Sequence, residues 1–201
     1  MPRVTDEHRL ARREQILDAA VGTFAVQGFQ ATGMAEVITA SGLSAGAVYR
    51  YFASKDELIE AIVDRILDEA AGRIEQLFAE EGPLDPARAV GLVVTTVASI
   101  ADRGPVDVSR LAVQAWGEAL RNPAIAKVAG RAYRRLRAVF AEELRREMGE
   151  GRLPATLDVP TASAALLSLV LGFVVQRLLL GDVDPRTYTA AVAGLFHSSS
   201  S

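Results

Sequence analysis

A serine between glycines is the feature of this chain that most resembles reactive chemistry. Gly42-Leu43-Ser44-Ala45-Gly46 fits the G-x-S-x-G spacing that presents a nucleophilic serine on a sharp strand-to-helix turn. That chemistry needs a strand before the serine and a histidine to take its proton. Only two histidines exist, His8 and His197, near the two ends of the chain. Before Ser44, Met34, Val37 and Ile38 recur at helical spacing rather than alternating as a strand would. Ser44 therefore reads as a helix cap, not a nucleophile. Two distant histidines and no cysteine give no metal-ligand spacing, and no G-x-x-x-x-G-K-[ST] run is present to cradle phosphate. The expectation is a protein that is not an enzyme and carries neither metal nor cofactor.

The elements around Ser44 suggest a different use. Gly42 suits the left-handed residue that closes a helix, and Ser44 can open another by accepting from its free backbone N–H groups. Val48 and Phe52 lie four apart and share the inward face of that second helix. Ala45, Gly46, Tyr49 and Arg50 are left on its other faces. Two short helices joined by a glycine turn form a helix-turn-helix, and small residues at the start of the second let its backbone approach base edges in a major groove. Ser54-Lys55-Asp56-Glu57 then reads as a capping box that starts a long helix, with Leu58, Ile59, Ile62, Val63, Ile66 and Leu67 as its apolar stripe. Ahead of the motif, a helix beginning near Thr5 carries Leu17, Ala20, Val21 and Phe24 on one face and ends at Gly28. Arg9, Arg12 and Arg13 near its start suit either a solvated face or attraction to phosphate.

Phe24, Gly28, Phe29, Thr32, Gly42, Leu43, Ser44, Gly46, Val48, Tyr49, Phe52, Ser54, Lys55 and Leu58 together resemble the DNA-binding domain of the tetracycline-repressor (TetR) family of bacterial regulators. The resemblance covers about the first quarter of the chain; the remainder is similar in helix layout and length. It implies that Lys55 and the Tyr49 hydroxyl contact DNA phosphates. Tyr51 is open to a phosphate or a packing role, and Thr32 to a phosphate contact or to helping cap the preceding short helix. Ser44, Ala45, Gly46 and Ala47 would lie against the groove. Arg50 is the long donor of this helix and could face guanine or the backbone. Ala35, Ala45 and Ala47 depart from the polar residues common in the family. With few hydrogen-bonding groups, the reader would lean on the shape of the duplex.

The rest of the chain is punctuated clearly. Asp85-Pro86, Asn122-Pro123 and Asp184-Pro185 each put a capping acceptor before a proline, which suits the first helical turn. With breaks at Gly104-Pro105 and between Gly149 and Pro160, helices are expected over about 85–103, 107–121, 123–149, 160–181 and 185–196. The fold class is all-α: a helix-turn-helix domain over 1–53, then a ligand-binding and dimerisation domain over 54–201 whose connecting helix covers 54–79. The tail from His197 to Ser201 is of low complexity.

Half the residues are hydrophobic and the formal net charge is −3, so any attraction to nucleic acid must be local. Asp6, Glu7 and Arg9 interrupt any secretory leader at the N-terminus. Thr161–Val175 is almost wholly apolar yet short of a bilayer span before Gln176 and Arg177, so a buried interface helix is expected and no membrane. By resemblance, the later helices enclose a small molecule. The candidates are Val93, Thr96, Val97 and Ile100, then Leu111, Gln114, Ala115 and Trp116, then Tyr133 and Phe140, then Leu169, Phe173 and Arg177. Their aliphatic character suggests a hydrophobic ligand, with Gln114, Tyr133 and Arg177 as polar handles; the bland alternative for most of them is plain core. The last two helices, Leu166–Leu180 and Tyr188, Ala191, Val192 and Leu195, are the expected homodimer surface. The implied function is a cytoplasmic bacterial repressor bound to a palindromic operator and released by its ligand. An activator, a ligand-independent regulator, or a helical adaptor that no longer reads DNA are the alternatives.

Overall fold

The computed structural model describes residues 6–102 and 107–197. Among the described residues it has nine α-helices: α1 (Asp6–Gln27), α2 (Met34–Ser41), α3 (Ala45–Tyr51), α4 (Lys55–Glu81), α5 (Pro86–Ala101), α6 (Ser109–Ala119), α7 (Pro123–Gly149), α8 (Val159–Leu179) and α9 (Pro185–His197). The all-α expectation holds, and the helix ends fall close to the punctuation read from sequence. The caps show why. Asp85 accepts from the N–H groups of Ala87 and Arg88, Asn122 from Ala124, and Asp184 from Arg186 and Thr187. Each side chain satisfies donors that a helix start leaves without partners. Thr5, the Gly104-Pro105 break and the serine tail lie outside the described residues.

Packing groups the described residues into two compact units. One runs to Ile66 and takes in 107 to Ala129; the other takes in Leu67 to Asp102 and Gly130 onward. The first therefore contains the early turns of α4 and all of α6, in addition to the residues up to 53. Its core is built from Ile16, Leu17, Ala20 and Phe24 of α1, Val37 of α2, Val48 and Phe52 around α3, Leu58 and Ile62 of α4, and Leu111 and Ala115 of α6, all buried. Phe29 meets Phe24 edge-on at 5.3 Å. Polar staples flank this core: Gln15 Nε2 donates to the Ser41 carbonyl at 2.8 Å, and Arg65 bridges Glu14 and Asp18 at 3.0 and 2.8 Å. Of the basic residues near the start of α1, Arg9 pairs with Asp6, Arg12 donates to Gln15, and the Arg13 guanidinium lies 5.3 Å above the Phe52 ring.

In the second unit α5 packs on α8 and α9. The approach to α9 is so close that a Cβ at Gly91 would stand 2.4 Å from Thr189 Cγ2. Phe173 of α8 stacks at a tilt on Tyr188 of α9, whose hydroxyl donates to the Leu169 carbonyl at 2.8 Å. Arg135 of α7 grips Glu75 of α4 with two hydrogen bonds, at 2.8 and 2.7 Å, and also pairs with Asp68. These bonds hold the Glu75 carboxyl below its usual range. At the far end of α7, Glu143 accepts the Leu84 N–H and Arg146 donates to the Leu84 carbonyl, which ties down the turn between α4 and α5. The Glu147 carboxyl, almost fully buried, is lowered by its bonds to Arg152 and then to Arg146.

Among the described residues α8 is long and apolar enough to cross a membrane, by length and composition alone. Leu166, Leu167, Val170, Phe173 and Val174 are nevertheless buried within the protein, while Thr161, Ala165, Ser168 and Gln176 line the exposed side.

Candidate nucleic-acid interface

α2 ends where the backbone turns left-handed at Gly42, with φ of +67°. A side chain there would be strained, so glycine is the residue for the corner. Two residues on, Ser44 caps α3: its Oγ accepts from Ala47 N–H at 3.3 Å, and its carbonyl accepts from Val48 N–H at 3.1 Å. Ser44 is preceded by a helix and its hydroxyl serves as a cap, so the nucleophile-elbow spacing is incidental. Val48 and Phe52, 0% and 2% exposed, fix which way α3 faces. That orientation leaves Ser44, Ala45, Gly46, Tyr49 and Arg50 exposed, with Ala47 and Tyr51 half-buried. The first turns of α3 thus present two small residues, one phenol and one guanidinium on a rigid, well-anchored helix.

Lys55 opens α4 beside this surface. Ser54 caps it, accepting from Glu57 N–H at 3.2 Å. The Glu57 carboxylate reaches back to Ala53 N–H at 2.7 Å, one residue earlier than a regular capping box would place it. The Lys55 ammonium stands 3.4 Å from the Gln30 carbonyl. Thr32 differs from the others: it is buried, and its hydroxyl donates to the Gly28 carbonyl at 3.0 Å. The side chain is turned inward onto the turn that follows α1.

The expected ligand residues are divided between the two compact units. Leu111, Gln114, Ala115 and Trp116 belong to the first unit, where Leu111 and Ala115 are core. Gln114 is committed there: its Oε1 accepts the Phe29 N–H at 2.8 Å, across 85 residues of chain. No local pattern could announce this, because the turn at Phe29 shows a donor in need of a partner but not where the partner comes from. Val93, Thr96, Val97, Ile100, Tyr133, Phe140, Leu169, Phe173 and Arg177 belong to the second unit. Val93, Thr96, Phe140 and Phe173 are buried, the Thr96 hydroxyl donates to the Leu92 carbonyl, and Arg177 pairs with Asp102 at 2.5 Å. Among the described residues no cluster of acidic, histidine and cysteine side chains could hold a metal ion.

Comparison with known proteins agrees with this geometry. A family model described as bacterial regulatory proteins of the tetR family matches residues 16–62, and one described as the C-terminal part of BetI-type transcriptional repressors matches residues 86–198. The transcriptional regulator BetI of Paraburkholderia phymatum is 30% identical over 180 residues, 87% of this chain and 85% of BetI. Salmonella enterica GusR has a similar structure, with a TM-score of 0.69 at 25% identity over 96% of this chain and 98% of GusR. A transcriptional regulator from Saccharomonospora viridis in complex with choline shares the fold, with a TM-score of 0.77 at 19% identity over 93% of this chain and 96% of its own. With a helix-turn-helix at the front and matches that run through the later helices, the chain belongs to the TetR family of DNA-binding transcriptional regulators and is not an enzyme.

Proposed function

We propose that this protein is a cytoplasmic repressor that holds a palindromic operator as a homodimer and releases it when a small hydrophobic molecule binds its second unit. The observation that carries the reading is the outward face of α3, where Ala45, Gly46, Tyr49 and Arg50 are exposed while Val48 and Phe52 lock the helix behind them. In this reading Tyr49 and Lys55 take phosphates, Tyr51 and Ser44 border them, and Arg50 meets a base edge or the backbone. Ala45 and Ala47 offer only methyl contact, so groove shape carries much of the specificity.

The dimer reading rests on what α8 and α9 leave uncovered. Ala165, Ser168 and Leu179 on α8, and Ala190, Ala191, Gly194 and Leu195 on α9, are exposed. Small residues at such spacing allow helices of two copies to approach closely, as in a four-helix interface. Ligand response is supported by the BetI-type match and by the choline held by the Saccharomonospora relative. The proposed binding residues are the half-buried Val97, Ile100, Tyr133, Leu169 and Arg177 together with the buried Val93, Thr96, Phe140 and Phe173.

The deciding experiment is a gel shift on the DNA upstream of the protein's own gene, with a panel of apolar compounds and choline added in turn. A retarded band that one compound abolishes is the expected result. A band strengthened by the compound would make the protein an activator or corepressed regulator, and no band on any duplex would sink the DNA-binding reading.

A further inference from the structure

We infer that Gln114 of α6 is a positioning residue for DNA binding: it builds the turn that aims Lys55. The inference rests on the phosphate role proposed for Lys55. Lys55 is the first residue of α4, where the positive end of the helix dipole repels an ammonium group. Its four-carbon stem is flexible, so an unheld ammonium would sample many directions. The Gln30 carbonyl, 3.4 Å away, is the acceptor that holds it.

The residues that carry that carbonyl are tied to α6, through the Phe29 N–H and the Gln30 side chain. Gly28, with φ of +89°, turns the chain out of α1, and the next N–H, that of Phe29, meets α6. Phe29 is 2% exposed, so water cannot serve this donor. Gln114 Oε1 accepts it at 2.8 Å. A Cβ on Gly28 would lie 3.4 Å from the same oxygen, so the side chain fits closely over a turn that has no side chain of its own. One helical turn further along α6, Glu118 accepts from Gln30 Nε2 at 2.5 Å, and Arg121 fixes Glu118 at 3.0 Å. Two side chains of α6 thus set two consecutive residues, Phe29 and Gln30, and the second of these presents its carbonyl to Lys55. All of these groups lie in one compact unit.

The test uses the full-length protein and the salt dependence of its binding to a duplex from upstream of its gene. Lys55→Ala should flatten the plot of log affinity against log salt by about one for each phosphate no longer neutralised. Gln114→Leu, which strands the Phe29 N–H, should weaken binding about tenfold and flatten the slope in the same way. In a Lys55→Ala background it should cost little more, because the group it positions is gone. Gln114→Glu keeps an acceptor of the same length and should restore both affinity and slope. A merely destabilised fold would lower the active fraction without changing the slope. Should Gln114→Leu fail to fold, Gln30→Ala removes only the Glu118 tether and must still flatten the slope, and must do so non-additively with Lys55→Ala. If Lys55→Ala binds like the parent, the phosphate role is wrong and the inference goes with it. If Lys55→Ala is impaired while folded Gln114→Leu or Gln30→Ala keeps the parental slope, the inference alone is overturned.

Discussion

Tyr49 stands 49% exposed on a helix whose opposite side is fully buried, so its phenol can meet a partner without any rearrangement of the core. Tyr49→Phe should leave helix content and thermal midpoint unchanged and weaken operator binding by about 1 kcal/mol, the usual net worth of one hydrogen bond, as read by fluorescence anisotropy. Unchanged affinity would remove Tyr49 from the interface. Thr32 makes the opposite case, since the same kind of hydroxyl is spent on the Gly28 carbonyl. At this scale the sequence was readable wherever the partner is local. Ser44, Asp85 and Asp184 cap helices that begin at the next residue, accepting from N–H groups two or three residues on, and their roles follow from spacing alone. Gln114 was not readable, because an amide on a helix face looks alike whether it meets a ligand or a backbone N–H far along the chain.

Between elements, two contacts can be tested by substitution. Gly91 lets α5 touch α9 with nothing between them. Gly91→Val would drive methyl groups into Thr189, and overpacking of this kind costs about 1–3 kcal/mol, so the midpoint in urea should fall accordingly. The second contact is electrostatic. Glu75 and Glu147 are held below the usual carboxylate range by Arg135 and by Arg152 respectively. A depressed folded-state value means the stabilisation is complete above about pH 4.5 and drains away as pH falls through the depressed values. Thermal midpoints should therefore drop on acidification below that point. Glu147→Gln should lower stability by about 2 kcal/mol at pH 7, since it breaks hydrogen bonds to charged partners, and the gap to the parent should narrow as the pH falls below about 4.5. A gap that stays constant with pH would show that Glu147 acts through packing rather than charge. Helix boundaries were legible here, but the facing of α8 was not. A helix apolar on every side has no preferred face in its sequence. Only the fold shows that Leu166, Val170 and Phe173 turn inward and Ala165, Ser168 and Leu179 outward.

For the whole molecule, that facing changes how association should be probed. Val192, expected on the dimer surface, is 4% exposed within the single chain, because α9 turns it toward the core. A charge there would unfold the protein and say nothing about assembly. Tyr188 is likewise engaged inside the chain, with Phe173 and the Leu169 carbonyl. Leu179→Glu and Ala191→Arg place charge on positions that are exposed in one copy. Both should leave the circular dichroism spectrum intact and shift sedimentation from dimer to monomer at micromolar concentration. A parent that already sediments as a monomer would refute the dimer. The division into two compact units was the part of the architecture least visible beforehand. Reading in chain order puts a boundary after residue 53, whereas packing recruits α6 and the first turns of α4 to the front unit.

That recruitment matters for anyone who builds hybrids. Transplanting a DNA reader onto a foreign sensor is ordinarily done with a single crossover, on the assumption that the reader is one uninterrupted stretch. Here the stretch from 107 to Ala129 would stay behind with the donor's second unit, and the graft would arrive without the amide that closes its own turn at Phe29. A working transplant calls for two crossovers, or for a recipient whose equivalent helix already carries a glutamine and a glutamate one turn apart.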